Sequence, residues 1–336
     1  MALCHFVRMR AVQRGVTLVE LMVALAIGVL ITVFAMAWLV AVKSGYVAQG
    51  EAARIDDTGR TALANIARSL RQAGFEDWGA TRAPVSQLAP APPSVVGFEG
   101  GTLKASTSWP DVPKTTGAVN GSDILAIRFG GAGAGENGDG TMLNCAGFAV
   151  PAVGSQAASE ALTGWSIYYV AQNEAGQPEL YCKYRGDHGW NAVALAEGVE
   201  SFQVLYGVDM DGDGIVNRYV NATELARLDA VASGGKASLD AAAQGNAHPS
   251  IWSRVAAVRV ALLVRGTQVV GHDLRPARYD LFGRDYGDRY GRSDVGTRID
   301  EAQLPKGTRG YGRRVFETIV HLRNVAIAHA GSEATL

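Results

Sequence analysis

The sequence has no excess of positive charge, and it lacks common short motifs of hydrolases and metalloproteases. Its 336 residues include 31 Lys and Arg against 32 Asp and Glu, a formal net charge of −1. Nucleic-acid-binding proteins usually carry a basic patch or a basic excess, so we expect no nucleic acid partner. The six histidines show no H-E-x-x-H spacing, and no G-x-S-x-G stretch is present. No catalytic residue is therefore assigned, and we expect a protein that is not an enzyme.

Charge is also absent between residues 21 and 42, a stretch of twenty-two residues. As a helix rising about 1.5 Å per residue, this stretch would be roughly 33 Å long, which is enough to cross a bilayer core. The residues before it include Arg8, Arg10 and Arg14 but no acid. Because basic residues are retained on the cytoplasmic side, the sequence predicts a single transmembrane segment at 21–42 with everything after Lys43 outside the cytoplasm.

Glu20 is a carboxylate at the edge of this apolar stretch. An ionisable group inside a membrane segment costs about 2.5 to 3.5 kcal/mol, so its presence indicates a function. The run Gly15-Val16-Thr17-Leu18-Val19-Glu20 resembles the type III signal of type IV prepilins and pseudopilins, although phenylalanine or methionine is usual at Val16. The resemblance implies that prepilin peptidase cleaves between Gly15 and Val16 and methylates the new amino terminus. Glu20 would then neutralise the amino group of a neighbouring subunit; the alternative is an ordinary signal anchor with a stray acid.

The rest of the chain shows helical and then strand periodicity. Apolar residues from Ala52 to Ala73 recur at spacings of three and four, and Gly74 predicts the end of this amphipathic helix. Downstream stretches rich in β-branched residues, several of them alternating, predict strands. These strands are Ser94–Phe98, Ser122–Phe129, Trp165–Ala171, Glu179–Tyr184, Val199–Val208, Val255–Arg265 and residues 313–323. The prediction is an α+β protein in which a long N-terminal membrane-spanning helix packs on a mainly antiparallel β-sheet domain.

Several segments extend the resemblance to the PilW family of type IV pilus minor pilins, which is related to the GspJ-type pseudopilins. The segments are residues 73–75, 121–125, 180–182, 197–209 and 313–324. The resemblance implies a type IV pilin-like fold with a leader peptide at 1–15, a pilin helix at 16–75 and a β-rich periplasmic or extracellular domain at 76–336. It also implies a noncatalytic subunit that, with other minor pilins, primes pilus assembly and sits in or near the filament tip.

The same resemblance implies partners and a location. The expected partners are prepilin peptidase, other minor pilins, the major pilin and a tip adhesin. The protein would first be held in the inner membrane, with its domain in the periplasm, and then be part of the pilus filament at the cell surface. Two alternatives remain open, a minor pseudopilin of type II secretion and a membrane-anchored adhesive or binding module. An anchored hydrolase is a third.

The chain has three cysteines, and Cys4 lies in the expected leader. Cleavage would leave Cys145 and Cys182 in an oxidising compartment, where a disulfide is the expected state. The alternative interpretation is a pair of buried thiols.

One stretch has the ligand order of an EF-hand calcium loop, with carboxylates at positions 1, 3 and 5, glycine at 6, a carbonyl at 7 and an amide at 9. The candidate ligands are Asp209, Asp211 and Asp213, the carbonyl oxygen of Ile215, and Asn217. Position 12 is Val220, so the usual bidentate acid is missing unless Glu224 or another loop supplies it. The alternative is an Asp/Gly-rich turn. No cofactor is required by the sequence, and calcium is the candidate ligand.

Residues 275–298 mix arginines and tyrosines with aspartates. Cations interleaved with aromatics are typical of polyanion-binding surfaces. The aspartates between them favour a solvated loop instead, and this is what we expect.

Overall fold

The fold was analysed in a computed structural model. It describes residues 15–77, 93–104, 109, 117–133, 138–152, 163–186, 189–232, 250–269 and 276–324. The predicted leader, apart from Gly15, lies outside these residues. The chain divides into two compact units, Met1–Gly50 and Glu51–Leu336.

The first unit holds helix α1 (Leu18–Gln72) as far as Gly50. Its large apolar side chains from Val16 to Val47 are exposed. By length and composition this helix could cross a membrane, in agreement with the transmembrane segment predicted at 21–42.

The rest of α1, from Glu51, belongs to the second unit and buries the predicted apolar face. Ile55, Ile66 and Leu70 are among the core residues on this face. Gly59 is a point of close approach, because a Cβ atom there would lie 2.4 Å from the ring of Phe316. The close contact with Phe316 accounts for a glycine inside the helix.

The end of α1 was also predicted correctly. Gly74 has a φ of +67°, the left-handed conformation that commonly follows the last helical turn. Its N–H donates to the carbonyl oxygen of Arg128, and the Phe75 N–H donates to that of Gln72. A Cβ atom at Gly74 would lie 2.8 Å from the carbonyl oxygen of Asn324, so this position needs glycine for space as well as for conformation.

Two antiparallel sheets form most of the second unit. The five-stranded sheet has the order β1-β2-β3-β4-β5, and the four-stranded sheet has the order β11-β8-β6-β7. The strands of the first sheet are β1 (Val95–Phe98), β2 (Ile124–Phe129), β3 (Gly164–Gln172), β4 (Pro178–Gly186) and β5 (Gly189–Glu197). Those of the second are β6 (Val199–Val208), β7 (Arg218–Val220), β8 (Val255–Val269) and β11 (Tyr311–His321).

The remaining elements are small. A two-stranded antiparallel sheet pairs β9 (Arg278–Asp280) with β10 (Arg298–Asp300). Helix α2 (Ala222–Ala232) follows β7, and helix α3 (Arg284–Tyr290) follows β9. With the two larger sheets these elements give the α+β, mainly antiparallel fold that the sequence predicted.

The largest core lies beneath α1 and receives side chains from both larger sheets, including Leu70, Tyr168 and Phe202. Tyr168 attaches the helix to the first sheet through polar contacts as well. Its hydroxyl donates to Oδ1 of Asn65 at 2.6 Å and shares a 2.7 Å hydrogen bond with the Ser69 hydroxyl. Because these groups are paired within the core, their burial does not leave polar atoms unsatisfied.

Residues 275–298 were wrongly expected to be a solvated loop. They contain β9 and α3, and Leu281 and Phe282 are buried in a second core with Leu205 and Leu263. Three of its charges are paired with one another, since the Arg298 side chain donates to Asp280 and, at 2.6 Å, to Asp288.

Candidate functional site

The predicted processing and assembly residues lie at the start of α1. Helix α1 begins at Leu18, and Gly15, Val16 and Glu20 are all exposed. A Cβ atom added at Gly15 would meet no other atom within 4 Å. Packing among the described residues therefore does not require a glycine here.

Glu20 and Thr17 form a capping box at this helix start. The Thr17 N–H and hydroxyl donate to Oε2 of Glu20 at 3.0 and 3.1 Å, and the Glu20 N–H donates to the Thr17 hydroxyl at 3.3 Å. The sequence analysis assigned Glu20 only to a neighbouring subunit. The T-x-x-E spacing at the start of an apolar helix was the signal that could have revealed this second role.

Cys145 and Cys182 form the predicted disulfide, with their Cα atoms 5.9 Å apart. Cys182 lies on β4, and Cys145 lies in a turn that the bond fixes to the sheet. The Cys145 N–H donates to the Ser166 hydroxyl at 2.9 Å, and its carbonyl oxygen accepts from the Asn65 side chain at 3.2 Å. The bond is fully buried and therefore joins the turn, the sheet and α1 within the main core.

The aspartate loop connects β6 to β7. One carboxylate oxygen from each of Asp209, Asp211 and Asp213 lies within 4.8 Å of the others. Asp209 accepts hydrogen bonds from the N–H groups of Gly212 and Gly214 at 2.6 and 2.8 Å. Burial acts to raise the pKa of Asp209, but these backbone donors outweigh it and lower the pKa, so the carboxylate is held in its charged form.

Two further candidate ligands have different surroundings. The Asn217 side chain donates to Oδ2 of Asp211 at 3.1 Å, which places it beside the aspartates. Val220, at position 12 of the loop, belongs to β7 and is buried. The carboxylate of Glu224, the candidate to replace the missing acid, accepts two hydrogen bonds from Arg227, at 2.7 and 2.8 Å. The donor set at the loop is thus three carboxylates and an amide, hard oxygen ligands that suit Ca²⁺.

A group of three acids, of which Asp123 and Asp294 are buried and Glu99 is half-buried, was missed by the sequence analysis. Asp123, Glu99 and Asp294 influence one another electrostatically, and burial is the main cause that raises the pKa of each. The Val204 N–H donates to Oδ2 of Asp123 at 2.8 Å. In the described part of the chain, Oδ1 of Asp123 and the hydroxyl of Tyr206 are buried without a hydrogen-bond partner.

These acids lie where the two larger sheets meet, because the Asp123 N–H donates to the carbonyl oxygen of Phe202 on β6. Among the described residues, only the three loop aspartates are close enough together to form a metal-ligand group. Asp123 thus connects the start of β2 to β6 at this junction.

Two protein-family models match parts of the chain. Residues 167–324 match the family model of type IV pilus-assembly protein W, and residues 10–36 match that of the prokaryotic N-terminal methylation motif. No curated protein matches the chain. One similar solved structure is a type IV-like pilin from Thermus thermophilus, with 14% identity, 81% of this chain and 97% of that chain covered, and a TM-score of 0.39.

The long apolar helix behind a methylation motif, followed by an antiparallel sheet domain, defines a membrane-anchored type IV pilin-like protein. Over residues 167–324 the chain resembles the family of type IV pilus-assembly protein W, or PilW, and this match covers most of the two larger sheets from β3 to β11. The methylation motif implies processing by prepilin peptidase in the context of pilus assembly.

Proposed function

We propose that this protein is a noncatalytic minor pilin that helps to prime assembly of a type IV pilus and is incorporated in or near the filament tip. The observation that carries the proposal is the start of α1, where an exposed Gly15 with free space around it precedes the capped Glu20. The PilW match over residues 167–324 supports the pilus context. The proposed partners are prepilin peptidase, other minor pilins, the major pilin and a tip adhesin.

The proposed route begins in the inner membrane, with the second unit in the periplasm. After cleavage, Glu20 exchanges its contacts with Thr17 for the amino group of a neighbouring subunit in the filament. This exchange breaks the two hydrogen bonds that Glu20 accepts from Thr17 in the isolated chain.

Deletion of the gene tests the proposal. Cells without it should make few or no pili, and the wild-type chain supplied in trans should restore them. Secretion of a type II substrate, measured in the same strains, separates this function from that of a pseudopilin. Normal piliation together with lost secretion would contradict the proposal.

We further propose that the aspartate loop binds Ca²⁺ weakly. Three carboxylates within 4.8 Å repel one another unless a cation lies between them. Weak binding is expected because Glu224 is engaged by Arg227 and Val220 offers no side-chain oxygen. Bound calcium would stiffen the connection between β6 and β7 without entering any chemistry.

A further inference from the structure

A cavity of about 650 Å³ lies on the face of the five-stranded sheet that is turned away from the main core. Tyr168 and Cys182 belong to the main core, so Tyr169 and Tyr181, which follow or precede them in β3 and β4, lie on the opposite face. These two tyrosines and Ala192 of β5 line one side of the cavity, and the segments 102–104 and 117–119 line another. We call this space the tyrosine cavity.

Two tyrosine rings form a stacked row across this face of the sheet. Tyr169 on β3 lies directly opposite Tyr181 on β4, and the ring centroids are 5.6 Å apart with 23° between the ring planes. The row continues on β5 with Ala194, which lies opposite Tyr181 and carries only a methyl group. Ala192, opposite Lys183 on the same face, is equally small. Strand β5 therefore places no large side chain against the second face of the Tyr181 ring.

The tyrosine cavity also contains a buried polar group without a partner. Tyr169 is 2% exposed, and its hydroxyl makes no hydrogen bond to any residue that the structure describes. Burial raises the pKa of Tyr169 to about 12, so the hydroxyl stays a neutral donor. The hydroxyl of Tyr181, in contrast, donates to Oε2 of Glu179 at 2.8 Å. Because an unpaired buried hydroxyl costs free energy, a ligand that pairs with Tyr169 would be favoured.

The lining indicates which chemical class such a ligand has. Thr102 and Gln172 bring a hydroxyl and an amide to the cavity, and no acid among the described residues lines it. Lys104 lines the cavity and Lys183 lies on the same face of the sheet, so an organic cation is disfavoured although a tyrosine ring could bind one. An apolar group would leave the lining hydroxyl and amide without partners.

A pyranose sugar meets both requirements at once. One face of its ring is a layer of C–H groups, which packs on an aromatic ring, and its edge carries hydroxyls that both donate and accept hydrogen bonds. Small-molecule sites of this kind combine aromatic surface with a few polar groups that fix the orientation of the ligand.

We propose that the tyrosine cavity is a binding site for a pyranose ring of a glycan. The sugar packs its C–H face on the open face of Tyr181, and one of its hydroxyls accepts a hydrogen bond from the hydroxyl of Tyr169. Thr102 and Gln172 pair with further hydroxyls of the sugar. This carbohydrate recognition goes beyond the proposed role in pilus assembly and does not depend on it, because the site uses no residue of α1.

Saturation-transfer NMR tests the site with the full chain in a detergent that has no sugar headgroup. The probes are the methyl glycosides of glucose, galactose and mannose, and N-acetylglucosamine, each measured separately. We expect transfer of saturation to at least one of them, strongest at the C–H protons of one ring face. Glycerol at the same concentration should receive much less, because it has hydroxyls but no flat layer of C–H groups.

Substitutions locate the binding. Tyr181→Ala should weaken binding of that sugar about tenfold or more, whereas Tyr181→Phe keeps the ring and should bind within about twofold of the wild type. Ala192→Leu keeps both tyrosines and fills the space beside them, so it should abolish binding. Tyr290→Ala is the matched control, since Tyr290 is 48% exposed on α3 and does not line the cavity. Unchanged urea unfolding of each variant shows that it has folded.

The proposal is overturned if none of the four sugars receives saturation, if glycerol receives as much as the sugars, or if Tyr181→Ala and Ala192→Leu both bind as the wild type does. Stronger transfer to choline than to any sugar would also overturn it, because the ring would then serve an organic cation. Each of these results leaves the proposed function standing, since piliation after gene deletion is measured independently.

Discussion

The Glu20 carboxylate of the isolated chain is bound by Thr17, through the backbone N–H at 3.0 Å and the hydroxyl at 3.1 Å. Before assembly, the acid thus has hydrogen-bond donors within its own helix start. Glu20 thus caps the helix in the isolated chain, and we propose that it pairs with the amino group of a neighbour in the filament. Each of these two roles predicts a different result of mutation.

Glu20→Ala should leave membrane insertion intact, or improve it, because a charge is removed from the apolar segment. Incorporation into pili should be lost if Glu20 pairs with a neighbouring amine. Thr17→Val is the matched control, since it removes the hydroxyl of the cap, at a cost of about 0.5 to 2 kcal/mol to the helix, and retains the acid. Pilus counts and membrane fractions of both variants give the measurement. If Thr17→Val caused the same assembly defect, capping and not pairing would explain the role of Glu20.

Processing at Gly15 is the second prediction. Gly15→Leu should leave the uncleaved precursor in the membrane, because a side chain at this position meets nothing in the fold and so can only disturb recognition by the peptidase. Mass spectrometry of the wild-type chain should give a mature amino terminus at Val16. Gly45→Leu is a suitable control, since a Cβ atom there also meets nothing within 4 Å. Processed Gly15→Leu protein would contradict the assignment.

The disulfide should contribute strongly to the stability of the second unit. Replacing Cys145 or Cys182 by alanine should lower the free energy of unfolding by about 2 to 5 kcal/mol, because the bond closes a loop between residues 37 apart and lies in the main core. Urea unfolding of the variants, and of wild-type protein with and without reductant, gives the value. Thiol reagents should not label either cysteine in native protein, and free thiols at both positions would refute the bond.

The buried acids predict that stability falls as the pH rises. Burial and the neighbouring Asp294 and Glu99 raise the pKa of Asp123 well above its usual value. A group of this kind contributes stability that is fully present below its unfolded pKa of about 3.9 and is lost as the pH rises through the folded value. Wild-type protein should therefore resist urea better at pH 5 than at pH 8.

Asp123→Asn should reduce this pH dependence and raise stability at pH 8, because the amide keeps an acceptor for the Val204 N–H and carries no charge. Some dependence should remain, since the pKa values of Glu99 and Asp294 are also raised. The control is Asp57→Asn, which changes an exposed carboxylate on α1 and should keep the wild-type slope. An Asp123→Asn slope equal to that of the wild type would show that Asp123 does not titrate between the folded and unfolded states in this range.

Alternation and helical spacing predicted the elements that bury a large apolar face. Strand β6 has the predicted bounds, Val199–Val208, and α1 ends one residue before the predicted Ala73. Strand β5 was missed because its residues from Ala192 to Ala196 include three alanines and the strand is largely exposed, so the alternation is weak. Local patterns report burial, and an exposed edge strand buries little.

Pairing between charged groups is the information that the sequence does not contain. The arginines and aspartates of residues 275–298 look solvated in sequence, but Arg298 joins Asp280 to Asp288 across the small sheet. The opposite case is Asp123, a single acid before a strand, which tertiary structure brings near Glu99 and Asp294. Which acids meet a base and which meet each other depends on contacts between residues far apart in the chain.

Calcium should stabilise the protein through the aspartate loop. A ligand that binds only the folded state adds RT ln(1 + [L]/Kd), which is about 0.4 kcal/mol when [L] equals Kd and about 1.4 kcal/mol at a tenfold excess. With no bidentate acid in the loop, we expect a Kd of about 10⁻⁴ to 10⁻³ M. Millimolar calcium should therefore raise the melting temperature of the detergent-solubilised full chain, and magnesium should raise it less because it sheds water reluctantly.

Substitutions in the loop decide whether this shift belongs to it. Asp211→Ala and Asp213→Ala should each abolish the shift, whereas Asp57→Ala, on α1, should not. Neither loop variant should unfold the protein, since both aspartates are exposed and lie outside the cores. In the absence of calcium they should even be slightly stabilising, because each removes one of three mutually repelling charges. A calcium-dependent shift that survives both substitutions, or no shift at millimolar calcium, would leave the stretch between β6 and β7 as a turn whose aspartates serve only to bind its own backbone.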